Sequence, residues 1–352
     1  MVGTTVKLTL WLALGVSLIV CLCVVAGRGL GALFNHSPIL MYATIEHSQS
    51  QQPYLLFLAD TGRNLSSPVR LQNINNDLYP ACSSGGQVAV TNLLSDNRGI
   101  FVTDSFGSRI LQVTDSVSST FYPRWSPDGT RLAFVSSLGG QSDIYVTAFG
   151  DDPPQKISNG VRVNSPPVWS PDGAQLLFTG NRDTEFRQLY AVAVDTRQQR
   201  KLTKSESNTD WPAWSPNGRH IVFSAFTENN FELYVMDSAG ENLHRLTATD
   251  VRETQPVWSP DGKSIAYWSS AGGLNTNSQL YVMKTDGTNP RLVANGRMAG
   301  GAPLWSADSR LLAFVAESRG EFAIFLASVD GHDYWQVSRV GARDAASPSW
   351  CS

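Results

Sequence analysis

A phrase of five residues recurs along this chain at a near-constant spacing. It begins with tryptophan and reads W-S-P-D-G, or a close variant, at Trp125, Trp169, Trp214, Trp258 and Trp305, with a shortened W-C-S at Trp350. Successive tryptophans are 44, 45, 44, 47 and 45 residues apart. A fixed period of this length indicates one supersecondary unit copied along the chain, and it constrains the fold more than any other feature.

Each copy contains four short apolar segments. In residues 212–247 the first holds Trp214, and the others cover 221–224, 233–236 and 244–247. The segments are rich in β-branched and aromatic residues and are separated by turn residues, which is typical of strands. Four antiparallel strands in each ~45-residue unit, repeated radially, describe an all-β propeller.

The residue types of the phrase have structural explanations. In S-P-D-G, proline presets the first corner of a turn, aspartate suits the second, and glycine accepts the positive φ that follows. A large flat indole fills the ~10 Å gap between neighbouring sheets. We therefore expect the six tryptophans to be structural anchors of the blades, each lying against the next blade.

The chain ends decide the number of blades. Cys82 occupies the tryptophan position of an earlier copy, which adds a whole blade before Trp125. Residues 41–45, 54–60 and 69–72 look like strands two, three and four of a blade whose first strand comes from residues 347–351. We predict seven four-stranded blades, closed by the two chain ends. Six blades remain the alternative if residues 39–72 form something else.

The N-terminus differs from the repeats. Residues 8–26 are 19 consecutive uncharged, mostly apolar residues, about the length of a membrane-spanning helix. We predict a transmembrane anchor with a short linker in residues 1–34 and the propeller in residues 35–352. A cleaved signal peptide is the alternative. Either one exports the propeller, to the periplasm or the cell surface, and Lys7 and Arg28 give only a slight charge bias for orientation.

Charge argues against nucleic-acid binding. The formal net charge is -3, and residues 1–34 hold Lys7 and Arg28 without an acid, so the remainder carries about -5. Affinity for a phosphate backbone depends on clustered Lys and Arg, and the sequence contains no such cluster. We expect a monomeric propeller without a nucleic-acid partner.

W-S-P-D-G followed by L-A-F, then L-Y-V-M, a D-G turn and R-L-T resembles the TolB-type propeller repeat, also described as the WD40-like Pro-Asp repeat. The resemblance covers about 300 of the 352 residues and is specific for the fold. It implies an exported location. It also allows a calcium ion in the central channel, although no acidic cluster in the sequence requires one. We expect neither the additional N-terminal domain nor the hydrolase module that other members of the family carry.

Motifs of known catalytic chemistry are missing from the sequence. There is no G-x-S-x-G, S-x-x-K, H-E-x-x-H or G-x-x-x-x-G-K-[ST]. The histidines fall at unrelated positions of the repeat, whereas a metal site needs several to converge. We predict neither enzymatic activity nor a metal site. Sugar-lyase relatives of this propeller use histidines near the channel, and the loops that face the channel lack them.

Two cysteines are candidates for a disulfide. Cys82 and Cys351 fall in the innermost strands of two blades that ring closure makes neighbours. A disulfide between them would hold the ring closed in an oxidising compartment. Facing sheets are usually wider apart than the ~5.5 Å Cα separation of a disulfide, so two free thiols remain the alternative.

One end of the propeller carries most of the variable polar and aromatic residues. Candidates from the connections between blades are Tyr122, Arg124, Arg162, Asp210, Trp211, Arg252, Glu253, Arg297, Arg343 and Asp344. The loops between second and third strands add Arg182, Asp183, Glu185, Phe186, Arg187, Glu228, Arg319 and Glu321. Arginine and aromatic residues suit protein contacts. Four of the arginines recur on equivalent connections, where a ring of them would favour an acidic partner: Arg162, Arg252, Arg297 and Arg343.

Two functional hypotheses follow. The first is a membrane-anchored, exported propeller that acts as a non-enzymatic scaffold for envelope or membrane proteins. The alternative is a sensor that binds a small ligand or glycan in the central channel. A repeat that is specific for the fold does not decide between them.

Overall fold

The computed structural model of the protein describes residues 39–46, 54–60, 69–70, 77–94, 97–104, 110–114, 119–138, 140–149, 152–182, 185–271, 277–297, 301–318, 321–337 and 342–351. All regular secondary structure in these residues is β-strand. None of it is a helix that could span a bilayer. The predicted transmembrane segment, residues 8–26, lies outside the described residues.

The strands alternate with turns along the whole described chain. The first three are β1 (Ile39–Glu46), β2 (Tyr54–Asp60) and β3 (Val69–Arg70). Blade 1 contains β4 (Asp77–Cys82), β5 (Gln87–Leu94), β6 (Asn97–Asp104) and β7 (Ile110–Gln112). Blade 2 contains β8 (Thr120–Trp125), β9 (Leu132–Ser136), β10 (Asp143–Thr147) and β11 (Gln155–Lys156). Blade 3 contains β12 (Arg162–Val163), β13 (Val168–Trp169), β14 (Gln175–Asn181), β15 (Gln188–Ala193) and β16 (Gln199–Lys201).

The second half repeats the pattern. Blade 4 contains β17 (Thr209–Trp214), β18 (His220–Thr227), β19 (Asn230–Asp237) and β20 (His244–Arg245). Blade 5 contains β21 (Arg252–Trp258), β22 (Ser264–Ser270), β23 (Asn277–Lys284) and β24 (Arg291–Arg297). Blade 6 contains β25 (Leu304–Trp305), β26 (Leu311–Ser318), β27 (Glu321–Ser328) and β28 (Tyr334–Gln336). The last strand is β29 (Ala342–Cys351).

The seven-blade prediction requires a correction to six blades. The strands from β4 to β28 form six sheets that are contiguous in sequence, each an antiparallel blade of the repeat. The remaining strands form a sheet of a different kind, in the order β29-β1-β2-β3, which we call the closing sheet. In a blade a tight turn joins the first two strands, whereas β29 and β1 come from opposite ends of the chain. It was wrong to count the closing sheet as an equivalent blade.

In blade 3 the first of the four strands is divided into two short pieces. Its sheet has five strands, because β12 and β13 both pair with β14. Pro166 and Pro167 lie between β12 and β13. Proline has no N–H to donate to a ladder, so the first strand of this blade is interrupted there.

The innermost strands form a closed circuit. Neighbouring first strands, β4, β8, β13, β17, β21, β25 and β29, approach one another in turn with Cα atoms within 8 Å, and β29 returns to β4. Residues 39–46 of β1 pair with β29 in antiparallel register, from Ile39 opposite Cys351 to Glu46 opposite Ala342. Cys82, at the end of β4, is disulfide-bonded.

The tryptophans of the repeat lie between blades. The indole N–H of Trp125 donates to the carbonyl of Ala81 at 3.0 Å, and that of Trp169 donates to the carbonyl of Arg124 at 2.9 Å. Trp125 also packs in one apolar cluster with Ala89 of blade 1. These contacts are with the preceding blade, whereas the sequence led us to expect the next one.

The turn after each tryptophan is held by its own side chains. In blade 2 the Ser126 hydroxyl donates to the Asp128 carboxylate at 2.5 Å and accepts from the Arg131 amide at 2.9 Å. The pKa of Asp128 is lowered to about 2, and the hydrogen bond from Ser126 is the largest cause. Gly129 completes the turn at φ 70°. Ser309 takes the corresponding position in blade 6 at φ 60°.

The two ends of the propeller differ in the connections that they carry. We call the end with the S-P-D-G turns and the turns between third and fourth strands the turn face. The opposite end is the loop face, which carries the loops between second and third strands and the connections between blades. First strands begin at the loop face, so the polar residues just before the repeated tryptophans gather there.

Candidate functional site

A pocket of about 540 Å³ lies on the loop face between blades 4 and 5. One wall is the hairpin between β18 and β19, whose two turn residues, Glu228 and Asn229, both have positive φ. Such a two-residue turn matches the twist of the flanking strands. The other wall is the connection from Thr249 to Val251 and the start of β21. The Asn230 side-chain amide donates to the carbonyl of Val251 and so joins the two walls.

Arg252 extends from the start of β21 toward the aromatic residues of blade 4. The Cζ atom of its guanidinium lies 4.5 Å from the ring centroid of Phe231 and 5.9 Å from that of Trp211. The Nε atom is buried and has no hydrogen-bond partner in the described structure. Burial lowers the pKa of the guanidinium, and Asp210 opposes this effect. A buried N–H donor without an acceptor is unusual in a folded protein.

Trp211 lies in a β-bulge of β17. The register of β17 against β18 shifts between Asp210 and Ala213, and Trp211 has φ 52° in this bulge. Its ring meets that of Phe231 edge-on at 5.7 Å, and Phe231 meets Phe226 edge-on at 5.3 Å. A bulge redirects the side chain that it carries, and Tyr122 and Gln255 take the same conformation in blades 2 and 5, so the bulge is a feature of the repeat.

Asp210 is the acid nearest to this cluster, and it is already paired. Arg187 donates to both of its carboxylate oxygens, from Nε at 2.8 Å and from a terminal nitrogen at 2.6 Å. The hydrogen bond to Asp210 raises the pKa of Arg187. Planar two-point pairs of this kind are among the stronger ion pairs. Asp210 is therefore committed to Arg187, and Arg252 has no ion-pair partner in the described part of the chain.

Glu232 forms the floor of the pocket. Its carboxylate accepts from the Thr247 hydroxyl at 2.6 Å and from the Thr249 amide at 2.9 Å, and it lies 3.4 Å from the Arg245 guanidinium. Arg245 also pairs with Glu228 at 3.0 Å. The Arg245 guanidinium thus pairs with both Glu228 and Glu232, so neither carboxylate pairs with Arg252.

The bond between Glu232 and Thr247 recurs in other blades. The hydroxyl of Ser158 donates to Asp143 in blade 2, and the hydroxyl of Thr203 donates to Gln188 in blade 3. All of these acceptor side chains lie at or near the start of third strands and are buried. Glu232 thus has a structural role of the repeat as well as a place in the pocket.

Glu253 is buried beside the pocket, in the seam between blades 4 and 5. It is 2% exposed, and one of its oxygens accepts from Thr249 at 3.0 Å and from Ser269 at 3.2 Å. The other oxygen has no hydrogen-bond partner in the described residues. Burial raises the pKa of Glu253 to about 7, with a smaller contribution from the charge of Glu232. A buried carboxyl group with these neighbours favours the protonated form.

Glu253 should make the folding stability dependent on pH. The folded pKa of about 7 is above the unfolded value of 4.5, so the native state binds more protons between these pH values. Stability must fall as pH rises through this window, by at most about 3 kcal/mol. We expect Glu253→Gln to remove this part of the pH dependence and to unfold at a higher denaturant concentration than the wild type at pH 8.

Urea unfolding of both proteins at pH 5 and pH 8 checks this expectation. Glu232→Gln is the matched control, since this residue is equally buried but has three partners, and the substitution should lower stability at both pH values. A Glu253→Gln variant whose stability differs from wild type equally at the two pH values would contradict the raised pKa.

The structure gathers four of the sequence candidates at this pocket and its border: Asp210, Trp211, Arg252 and Glu253. Arg187 and Glu228 from the second set lie there as well. Others are placed elsewhere on the loop face. Arg162 is exposed in β12, and Arg182 is exposed and lies next to Gly160.

Tyr122 and Arg124 belong to the seam between blades 2 and 3. Tyr122 has φ 56° and packs against an apolar cluster that includes Trp169. Arg124 donates to the carbonyl of Pro123 at 2.9 Å, and burial lowers its pKa. Arg297 lies at the end of β24, and Arg343 and Asp344 lie in β29, but their side chains are outside the description. The proposed ring of four arginines therefore stays a prediction.

Sequence reasoning missed Phe231, Glu232, Arg245 and Thr249. A signal was present, because the R-L-T phrase contains Arg245 and the hydroxyl of Thr247 that binds Glu232. We assigned that phrase to the fourth strand and did not predict that its side chains contact Glu232. Among the residues described here, no three His, Cys, Asp or Glu side chains are grouped to hold a metal ion.

Comparison with known proteins supports the fold independently. The family model of the TolB beta propeller domain matches residues 34–210 and 187–352. The chain belongs to this family, which confirms the resemblance carried by the repeat.

Two curated relatives match over part of their length. A protein TolB homolog of Chlorobium luteolum is 31% identical over 101 residues, which are 29% of this chain and 22% of the relative. The Tol-Pal system protein TolB of Alkalilimnicola ehrlichii is 43% identical over 47 residues, which are 13% of this chain and 11% of the relative. The chain thus matches less than a quarter of the length of either relative.

Solved structures share the fold at low identity. TolB from Acinetobacter baumannii superimposes with a TM-score of 0.60 at 17% identity, covering 93% of this chain and 87% of that one. An oligogalacturonate lyase in complex with manganese has a TM-score of 0.65 at 14% identity, covering 83% of this chain and 86% of that one. A TolB protein and a lyase both use this scaffold, so the function has to be argued from the site.

Proposed function

We propose that this protein is an exported, membrane-anchored propeller that acts as a non-enzymatic interaction scaffold for proteins of the cell envelope. The observation that carries the proposal is the cluster on the loop face between blades 4 and 5. There the Arg252 guanidinium lies over the rings of Phe231 and Trp211, and Phe226 packs edge-on against Phe231. Tryptophan, other aromatic residues and arginine dominate the binding energy of protein interfaces.

Family membership supports the same proposal. One curated relative is named a protein of the Tol-Pal system, and the propeller of this chain belongs to the same family. The uncharged segment 8–26 supports attachment to a membrane. At ~3.3 Å per residue, the residues between this segment and β1 would hold the propeller within about 40 Å of the bilayer. Partners would then be envelope proteins or the exported parts of membrane proteins.

Site-specific photo-crosslinking in cells tests the proposal. A photoreactive phenylalanine analogue replaces Phe226, which is 38% exposed beside the pocket on the loop face. The matched control replaces Leu243, which belongs to the same blade, is 61% exposed and lies at the turn face. We expect discrete crosslinks to envelope proteins from position 226 and none of these from position 243. Identical crosslinks from both positions, or none from position 226, would contradict the scaffold role.

A further inference from the structure

We propose that the pocket between blades 4 and 5 binds an acidic side chain of a partner polypeptide, with Arg252 as the group that recognises the carboxylate. The inference rests on the proposed scaffold function and specifies the chemistry of the segment that this surface takes. It depends on three features of the described residues. The guanidinium has no bonded partner, the nearby acids are already paired with other arginines, and aromatic rings lie beside the guanidinium.

The first feature is the guanidinium itself. The guanidinium of Arg252 makes no hydrogen bond and no ion pair in the described structure, and its Nε atom is buried. A buried N–H donor without an acceptor costs free energy unless a ligand or water supplies the acceptor. Arg252 is half-buried and lines an open pocket of about 540 Å³, so an acceptor can reach the terminal nitrogens of its guanidinium from outside.

The second feature is that the acids close to Arg252 are already used. Asp210 binds Arg187 through both oxygens, and Arg245 occupies Glu228 and Glu232. Asp250 lines the pocket but does not come within ion-pair distance of Arg252. The guanidinium therefore keeps its capacity for a carboxylate, which it can bind through two parallel hydrogen bonds.

The third feature is the aromatic wall. The Arg252 guanidinium lies over Phe231 and Trp211, with its Cζ atom 4.5 Å and 5.9 Å from the ring centroids, so the two rings cover part of it. Phe226 remains 38% exposed at the edge of the same pocket. An ionic hydrogen bond is stronger in such a partly desolvated place than on an open surface. An exposed ring beside the cation suits a peptide that carries an apolar residue next to its acidic one.

The binding test uses the full chain in detergent micelles and two labelled tetrapeptide amides. One has the sequence Gly-Asp-Phe-Gly, and the other is the neutral match Gly-Asn-Phe-Gly. Fluorescence anisotropy measures the affinity of each. We expect the acidic peptide to bind at least about 10-fold more tightly, because an ionic hydrogen bond is worth about that factor or more. Equal affinities, or no binding of the acidic peptide up to its solubility limit, would overturn the proposal.

Variants assign the effect to Arg252. Arg252→Gln should weaken binding of the acidic peptide at least about 10-fold and leave the neutral peptide unaffected. Arg252→Lys should lose less, since it keeps the charge but not the planar pair of donors. Arg200→Gln is the control, because Arg200 binds the carbonyls of Ser238 and Ala239 at the turn face. If a folded Arg252→Gln variant bound the acidic peptide as tightly as the wild type, the role assigned to Arg252 would be wrong.

The same variants separate this inference from the proposed function. If Arg252→Gln loses peptide binding but the photo-crosslinks from position 226 never appear in wild-type cells, the pocket chemistry stands and the scaffold role fails. If those crosslinks appear and survive in Arg252→Gln, the scaffold role stands and the carboxylate pocket fails.

Discussion

Replacing Gly287 with alanine should lower the free energy of unfolding by about 2 to 5 kcal/mol. Gly287 is in the turn between β23 and β24 with φ 84°. A Cβ atom at this position would lie 2.6 Å from the carbonyl oxygen of Leu246 in the preceding blade. The loss has two sources, because the left-handed backbone disfavours alanine and the turn has to move away from its neighbour.

A second glycine separates these two sources. Gly86 has φ 76° in the turn between β4 and β5, and a Cβ added there would meet no atom within 4 Å. Gly86→Ala should therefore cost only about 1 to 2 kcal/mol, the backbone part of the effect. Urea unfolding of both variants gives the comparison. Equal losses would contradict the close packing of the D-G turns on the preceding blade.

Removing the disulfide of Cys82 should lower the free energy of unfolding by about 3 to 5 kcal/mol. Cys82 is disulfide-bonded, and we propose Cys351 as its partner. Cys351 ends β29, and β29 lies beside β4, with Cα atoms of the two strands within 8 Å. The close approach of β4 and β29 favours this pairing over the wider spacing that facing sheets usually have. A crosslink that joins residues so distant in sequence strongly restricts the unfolded chain.

A double-mutant cycle tests this pairing. Cys82→Ser and Cys351→Ser should each lose the same stability, and the double variant should lose no more than either one, since one bond is removed in every case. A reducing agent should bring the wild type to the level of the variants. A Cys351→Ser protein as stable as the wild type, beside a destabilised Cys82→Ser protein, would assign the bond to another partner.

Much of the fold can be predicted from the repeat because its turn chemistry is local. Ser126, Asp128 and Gly129 bond within a few residues of one another, so the phrase alone specifies the turn. The direction in which the tryptophans pack could not be predicted in this way. Side-chain alternation places Trp125 and Arg124 on opposite sides of a strand, but it does not indicate which side meets the preceding blade.

The candidate site was predictable only in part. Charged and aromatic residue types identified Trp211, Arg252 and Glu253, because residues at the start of a first strand have to lie at one end of the blade. The bulge that carries Trp211 at positive φ gives no sequence signal, since Tyr122 and Gln255 take the same conformation in other blades with unrelated side chains. The pairing of acids and arginines depends on distances between blades, which the repeat does not encode.

The blade count failed for a related reason. The pattern correctly suggests strands near both chain ends, and β29 pairs with β1. Strand patterns alone cannot distinguish a blade built by one turn-linked repeat from a sheet assembled from both ends. The structure makes this difference explicit, with six repeat blades and one closing sheet.

Closure of the ring by the two ends of the chain is the central claim, and peptide mapping under non-reducing conditions tests it most directly. The protein is alkylated, digested without reductant and analysed by mass spectrometry. The account predicts one crosslinked species that joins the peptide containing Cys82 to the peptide containing Cys351. Recovery of these two cysteines as separate alkylated thiols, or of Cys82 linked to Cys21 or Cys23, would contradict it.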